Sequence, residues 1–308
     1  MRRRARRDGA EPDGYLLLRK RPGISSFDAL NLIKRALDTG RVGHSGTLDK
    51  FAEGLLIVLV GRSTRLVPWF TGCDKIYDGT IEFGTETDTL DPEGLIIAQA
   101  PVPTESALRA VLPHFRGNIS QSPPLYSAVH VDGKRAHEIA RSGDTVEMKE
   151  RPVVIHSLEL LSFDGQTAQI RVHCSKGTYI RSLARDIALG CDSRAHLTAL
   201  LRTRVAGFEL SEAVDPFASS NPEKTIRDAL RPIDERSFSA IKLPTIRLPA
   251  DQALHITHGK PIDEAWFVNI AENKDVALMR EDGLFLAVIT CENGKRRYGY
   301  VAARPEDL

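Results

Sequence analysis

Arg41-Val42-Gly43-His44-Ser45-Gly46-Thr47-Leu48-Asp49-Lys50-Phe51-Ala52-Glu53-Gly54-Leu55-Leu56-Ile57 delivers an acidic residue on a glycine-punctuated loop straight into a continuous apolar run. Gly43, Gly46 and Gly54 permit backbone angles or close approaches that other residues resist, and functional groups concentrate on such loops when rigid neighbours hold them. The apolar run continues to Val60 and stops at Gly61, which reads as a short buried strand. From the residues alone this is a candidate active-site loop.

Working outward, Tyr15-Leu16-Leu17-Leu18 reads as a buried strand that meets a turn at Lys20-Arg21-Pro22-Gly23. A helix follows, capped by Ser25 or Ser26, with Phe27, Leu30, Ile33 and Leu37 at helical spacing and Gly40 at its C-terminal end. Ser63-Thr64 begins another helix running to Phe70. Tyr77, Gly79, Ile81 and Phe83 alternate, as on one face of a strand. Residues 85–94 are acidic and rich in turn formers. Residues 104–115 read as a capped amphipathic helix with Ala107, Leu108, Val111, Leu112 and Phe115 inward, and residues 134–141 as a short helix. Two prolines make residues 122–128 an ordered loop or strand edge. Residues 153–163 and 166–174 flank Asp164-Gly165 and should pair as an antiparallel hairpin. A helix over 179–189 puts Arg181 and Arg185 on one face.

Prolines 216, 222, 232 and 244 mark a weakening of the pattern, which suggests a main domain over 14–245 and a second, β-rich unit over 246–308. That unit offers short strand-like pieces, among them Trp266-Phe267-Val268 and residues 284–289, spaced as in a small β barrel. Residues 1–13 form a basic tail without the apolar core of a signal peptide.

The chain has 308 residues, of which 42% are hydrophobic and 27% charged, an ordinary composition for one large domain with a smaller companion. No apolar run is long enough to cross a bilayer, so a cytoplasmic location and no membrane partner are expected. The four cysteines are scattered without C-x-x-C spacing, which argues against a disulfide framework or a cysteine zinc site. The net charge is only +1, but residues 1–80 carry +6 and residues 171–206 carry +5, leaving the rest near −10. Two basic segments in an acidic chain are what a phosphate-binding face would need, although charge runs are more often solvated surface.

No phosphate-binding, dinucleotide, zinc-protease or serine-hydrolase motif occurs, so no cofactor is indicated. His255 and His258 lack a third ligand, and no metal site is expected. What remains are single residues in shaped contexts: Asp49 after the glycine loop, Tyr77 after Asp74-Lys75, and Arg181 in Ser175-Lys176-Gly177-Thr178-Tyr179-Ile180-Arg181. Each alone has a plain explanation as a turn cap, a packing group or a surface pair.

Taken together, Gly43-His44-Ser45-Gly46-Thr47-Leu48-Asp49, Gly54-Leu55-Leu56, Gly61-Arg62-Ser63-Thr64-Arg65, Asp74-Lys75-x-Tyr77, Pro123-Pro124-x-Tyr126-Ser127-Ala128 and Lys176-Gly177-Thr178-Tyr179-Ile180-Arg181-Ser182-Leu183 resemble the TruB-type tRNA pseudouridine synthases in order and spacing. The resemblance covers about residues 15 to 205. It implies an α+β fold, a mixed, mostly antiparallel sheet flanked by helices, with a small C-terminal PUA-like β domain. The implied activity is conversion of uridine 55 in the tRNA T-loop to pseudouridine by a cofactor-independent monomer needing no obligate protein partner. Asp49 matches the family's catalytic aspartate, Arg181 the arginine that pairs with it, and Tyr77 the tyrosine that stacks on the target base. His44 matches the histidine associated with the flipped-out base, Leu200 an apolar wall and Tyr179 a support. Lys20 and Arg65 match basic positions near the site that contact phosphate or brace the loop.

This sequence departs from the family pattern at Lys20-Arg21-Pro22, where Lys-Pro is usual, at Asp49-Lys50, where proline usually follows the aspartate, and at Cys191-Asp192-Ser193-Arg194-Ala195, which replaces Gly-Cys-Gly-Ala. Two other functional readings remain open to the residues: an RNA-folding chaperone that uses the same surface without turnover, and a related synthase acting on another RNA or within a guide-dependent complex.

Overall fold

Strand β3 (Glu53–Val60) is buried along nearly its whole length, because packed layers cover both of its faces. In the computed structural model, which describes residues 11–127, 130–131, 134–135 and 148–308, β3 pairs antiparallel with β1 (Gly14–Lys20) and with β2 (Val42–His44). Leu56, Val58 and Val60 meet Ala29, Leu30 and Ile33 of helix α1 (Ser26–Leu37). Leu55, Ile57 and Leu59 point the other way, toward Phe70, Phe208, Phe238 and the C-terminal strands.

The sheet runs β1-β3-β12-β4-β11-β10-β7, with β4 at Lys75–Phe83, β7 at Gly117–Gln121, β10 at Arg151–Phe163, β11 at Thr167–Cys174 and β12 at Ala195–Val205, while β5 (Thr85–Thr87) with β6 (Ile96–Gln99) and β8 (His130–Val131) with β9 (Lys134–Arg135) form separate two-stranded pairs. Phe208–Glu209 (β13) adds to β12. The pairings are antiparallel except where β12 meets β3, with Leu201 opposite Glu53 and Arg202 opposite Gly54. This is the mixed, mostly antiparallel α+β architecture expected. The parallel contact is close: Gly54 has φ +122°, and a Cβ there would lie 2.3 Å from the Arg202 carbonyl oxygen. Tyr77, Ile81 and Phe83 of β4 face a third apolar cluster, completed by helix Ile180–Gly190.

Several local expectations need correction. Asp38, in the left-handed region, caps α1 in place of Gly40, and Phe27 is exposed beneath the Lys34 ammonium. Residues 61–70 start as a 3₁₀ turn and become α-helical only at Val67–Thr71. The 104–115 segment is α-helical over Glu105–Val111 and 3₁₀ over Leu112–Phe115, where Pro113 lacks the donor to continue, and Ala107 is exposed. Lys134–Arg135 pairs as a strand with His130–Val131; the rest of the expected 134–141 helix lies outside the described residues, as do Ala128 and residues 1–10 of the tail.

The C-terminal unit is an open four-stranded sheet, Thr245–Leu248, Val276–Arg280, Phe285–Glu292 and Lys295–Val301 in that order, rather than a closed barrel. Trp266-Phe267-Val268 is not a strand. Asp263 accepts a hydrogen bond from the Ala265 N–H and winds Glu264–Phe267 into a 3₁₀ turn, with Arg296 lying over the buried Phe267 ring. A short apolar run does not distinguish these outcomes. One face of this sheet is continuous with the main core through Ala277, Met279, Phe285, Val288 and Tyr300.

Candidate active site

Asp49 sits on the loop between β2 and β3, and three anchors fix that loop. Ser45 N–H donates to the Ile57 carbonyl, extending the β2–β3 ladder past His44. The Ser26 hydroxyl donates to the Leu48 carbonyl at 3.1 Å and accepts from Leu48 N–H at 3.0 Å, tying the loop to the first turn of α1. Beyond Asp49, the Lys20 ammonium reaches the carbonyls of Ala52 at 2.6 Å, Arg21 at 3.0 Å and Lys50 at 3.3 Å, and Gly23 N–H also donates to the Lys50 carbonyl. Lys20 is fully buried, so its ammonium braces the loop from inside. Desolvation is the main reason its pKa drops to about 8.

Arg181 begins its helix from a buried position and faces two carboxylates. Its Nη2 donates to Asp49 Oδ1 at 3.0 Å, and its Nε lies 3.0 Å from Asp49 Oδ2, though not along the N–H direction. Nη1 donates to Asp91 Oδ2 at 3.0 Å and to the Thr89 carbonyl at 2.7 Å, and Nη2 also reaches the Tyr126 carbonyl. A planar guanidinium held on so many sides has one orientation, and it confers that orientation on Asp49. The Asp49 side chain keeps 35% of its exposure, so the carboxylate lines a cleft that is open on one side. Burial raises its pKa, Arg181 opposes that rise, and Asp91 adds to it.

Tyr77 lies on β4 across from Arg202 and packs in the same apolar cluster as Leu48, Ala52, Ile180 and Leu200. Burial pushes its phenol pKa up, with Arg202 pulling the other way. Leu200 is two residues before Arg202 on the same strand and lies opposite Gly79. Tyr179 is held at both backbone groups by Gln121, whose Oε1 accepts from Tyr179 N–H at 2.8 Å and whose Nε2 donates to its carbonyl at 3.1 Å. Asp49, Arg181, Tyr77, Leu200 and Tyr179, distant in sequence, therefore converge.

His44 stands at the end of β2, with its Nδ1 accepting from Gly46 N–H at 3.2 Å. That bond leaves Nε2 as the protonated nitrogen of a neutral ring, and burial first, then Arg202, lowers its pKa. Arg65 is not brought to this cleft. It follows the far end of β3, roughly 23 Å of strand from Glu53, and lies over the Tyr300 ring in a pocket shared with Arg41, Arg62 and Arg304.

Two residues of this constellation escaped the sequence reading. Asp91 is the second partner of Arg181, and only the acidic, turn-forming character of residues 85–94 hinted at it. Arg202 is almost fully buried; its Nε donates to the Leu55 carbonyl at 2.7 Å, its Nη2 donates to the Gly46 carbonyl at 3.1 Å, and it is hydrogen-bonded to Tyr77. It links the glycine loop, the core strand and the tyrosine.

A directed carboxylate held by an arginine, next to an apolar cluster that contains Tyr77 and Leu200, can act as a nucleophile or as a base. Residues 34–180 match the family described as TruB family pseudouridylate synthase (N terminal domain). The tRNA pseudouridine synthase B of Bordetella avium is 50% identical over 216 residues, 68% of this chain and 88% of that protein.

The chain belongs to the TruB family of pseudouridylate synthases.

The TruB enzyme of Aromatoleum aromaticum extends the likeness, at 43% identity over 280 residues, 88% of this chain and 89% of the relative. Among solved structures, a Cbf5-Nop10-Gar1 complex aligns over 94% of this chain and 83% of its own with TM-score 0.68 and 24% identity, a likeness of fold that includes the C-terminal strands. The resemblance read from the separated motifs is thus borne out, and the protein is an isomerase that makes pseudouridine. No helix among the described residues is long and apolar enough to cross a membrane.

Proposed function

We propose that this TruB-family protein converts uridine 55 in the T-loop of tRNA to pseudouridine, with Asp49 as the catalytic carboxylate. The observation that carries the reading is the Asp49–Arg181 contact, in which a partly exposed carboxylate is held beside the cluster that contains Tyr77 and Leu200; the tRNA substrate follows the names of the relatives. The reaction breaks the N1–C1′ bond, turns the uracil and joins C5 to C1′, so no atom enters or leaves and no redox partner is required. Asp49 acts in its ionised form, on the sugar or on the base, while the Arg181 fork fixes the direction of its oxygens. Tyr77 stacks on the extruded base, and its hydroxyl helps remove the C5 proton after reattachment.

The target base must leave its stack, at a cost of a few kcal/mol. On this reading His44 occupies the vacated side of the loop, and its neutral ring avoids a buried charge there. Residues 14–245 act as the catalytic domain and residues 246–308 as a PUA-like RNA-binding domain, in a cytoplasmic monomer. Lys20 braces the Asp49 loop, and Arg65 contacts backbone phosphate away from the chemistry. The test is incubation with an unmodified T-stem-loop RNA and mapping of pseudouridine. Product at that uridine, lost in Asp49→Ala with RNA affinity retained, is the expected result; no product there, or near-normal turnover by the variant, refutes the assignment.

A further inference from the structure

Away from the Asp49 cleft, three potential metal ligands meet on the opposite side of the sheet. Asp74 immediately precedes β4, His156 lies in β10 and His173 in β11. Their ligand atoms all lie within 4.8 Å of one another, with His156 Nε2 3.2 Å from Asp74 Oδ2 and the two imidazole centroids 4.6 Å apart. A backbone irregularity creates this meeting. The β10–β11 register slips between Ile155 and Ser157, so that His156 and Ser157 together oppose His173. Bulges of this kind re-aim a side chain that strict alternation would place elsewhere. His173 alternates with the buried Val172 and Cys174, which share the Tyr77 cluster, so its ring points away from that cluster.

We infer that Asp74, His156 and His173 form a binding site for a divalent transition-metal ion of the zinc type. Two imidazoles and one carboxylate, with a remaining position open to water, are a donor set this class of ion accepts. Metal–ligand bonds of about 2.0 to 2.2 Å put two ligands of a tetrahedral ion about 3.3 Å apart. The His156–Asp74 pair already has that spacing, and side-chain rotation closes the two separations to His173, which lie within 4.8 Å. The three donors come from neighbouring hydrogen-bonded strands, which lowers the ordering needed for binding. Arg204 and Lys242 are the cations that act on His173 and oppose a bound ion, while Asp74 supplies the compensating negative charge. Bound there, the ion would clasp the start of β4, three residues before Tyr77, to the β10–β11 hairpin. It would take no part in the chemistry on the other face.

Isothermal titration of the tag-free full chain with Zn²⁺ tests the site. One saturable equivalent is expected, lost in H156A/H173A and kept in H255A/H258A, which removes the exposed histidine pair of the C-terminal unit. Titration with Co²⁺ gives a second reading: visible absorption bands of bound cobalt, present in the wild type and absent from H156A and from D74N, with circular dichroism confirming that both variants fold. No saturable binding, or unchanged binding by H156A/H173A, overturns the inference.

Discussion

Replacing Arg202 with methionine keeps most of the side-chain volume but removes a buried cation that touches three parts of the site. Two hydrogen bonds from the guanidinium, to the Leu55 and Gly46 carbonyls, and one with Tyr77 are lost together. At a net of about 1 to 1.5 kcal/mol per bond, with the carbonyls left unsatisfied, the loss is about 3 to 4 kcal/mol. Out of a typical 5 to 15 kcal/mol of stability the variant still folds. Urea unfolding at neutral pH should show this as a lower midpoint with an unchanged slope.

The same change has an electrostatic signature that ordinary packing damage lacks. Arg202 helps hold His44 below its ordinary pKa, so Arg202→Met should let the His44 titration move up, as followed by NMR of its ring protons. Arg202→Lys separates charge from shape. It should leave His44 depressed yet still slow turnover, because an ammonium does not reach both carbonyls and the tyrosine in the geometry of the fork. If Arg202→Met costs less than about 1 kcal/mol and leaves the His44 titration where it was, the view of Arg202 as the post joining loop, strand and tyrosine is wrong.

Three further outcomes follow from the same geometry. Burial raises the Asp49 pKa above that of an unfolded chain, so its stability contribution is present below the unfolded pKa and lost as pH rises through the folded one; Asp49→Asn should therefore be inactive yet melt no lower than wild type at neutral pH, and a fall of several degrees would contradict this. The Lys20 pKa is lowered to about 8, so its stability contribution is present above the unfolded value near 10.5 and lost as pH falls toward 8. Charged Lys20 holds the loop carbonyls, so turnover should decline above about pH 8, and Lys20→Arg should move that decline to higher pH; an unmoved limb assigns it to another group. Gly54→Ala forces a Cβ against the Arg202 backbone at a positive φ, and should cost about 2 to 4 kcal/mol in urea unfolding and reduce turnover with it; a neutral effect would mean that β3 and β12 separate freely.

Much of this architecture could be read because its signals are local. The apolar run from Leu55 to Val60 announces a strand covered on both faces, the alternation of Tyr77, Ile81 and Phe83 announces one core face, and Asp164-Gly165 announces a hairpin. Arg202 had no such signal. In Leu200-Leu201-Arg202-Thr203-Arg204 it reads as one more polar residue of a strand, and its burial exists only because β12 docks parallel against β3 over the side-chain-free surface of Gly54. Asp91 was hidden for a related reason. Its meaning depends on Arg181, ninety residues later, and a turn-forming aspartate looks the same whether or not an arginine arrives. The metal ligands combine both difficulties, since the bulge at His156 breaks the alternation by which facing residues are counted.

The Asp49-Lys50 step shows how a local departure can be absorbed by tertiary contacts. Without the usual proline the turn behind Asp49 gains backbone freedom in the unfolded chain, which by itself weakens the folded loop by a fraction of a kcal/mol to about 1 kcal/mol. In the fold, however, the Lys50 carbonyl accepts from both Gly23 N–H and the Lys20 ammonium, and its side chain lies 3.6 Å from Glu93, two residues past Asp91. The exposed ion pair contributes little, but the buried ammonium holds the backbone on either side of Phe51. Rigidity that a proline would build into residue 50 is thus supplied from residue 20, through a group whose charge depends on pH. The loop carrying Asp49 is for that reason firmest where Lys20 is fully protonated, which ties the pH range of the activity to a lysine outside the reacting cleft.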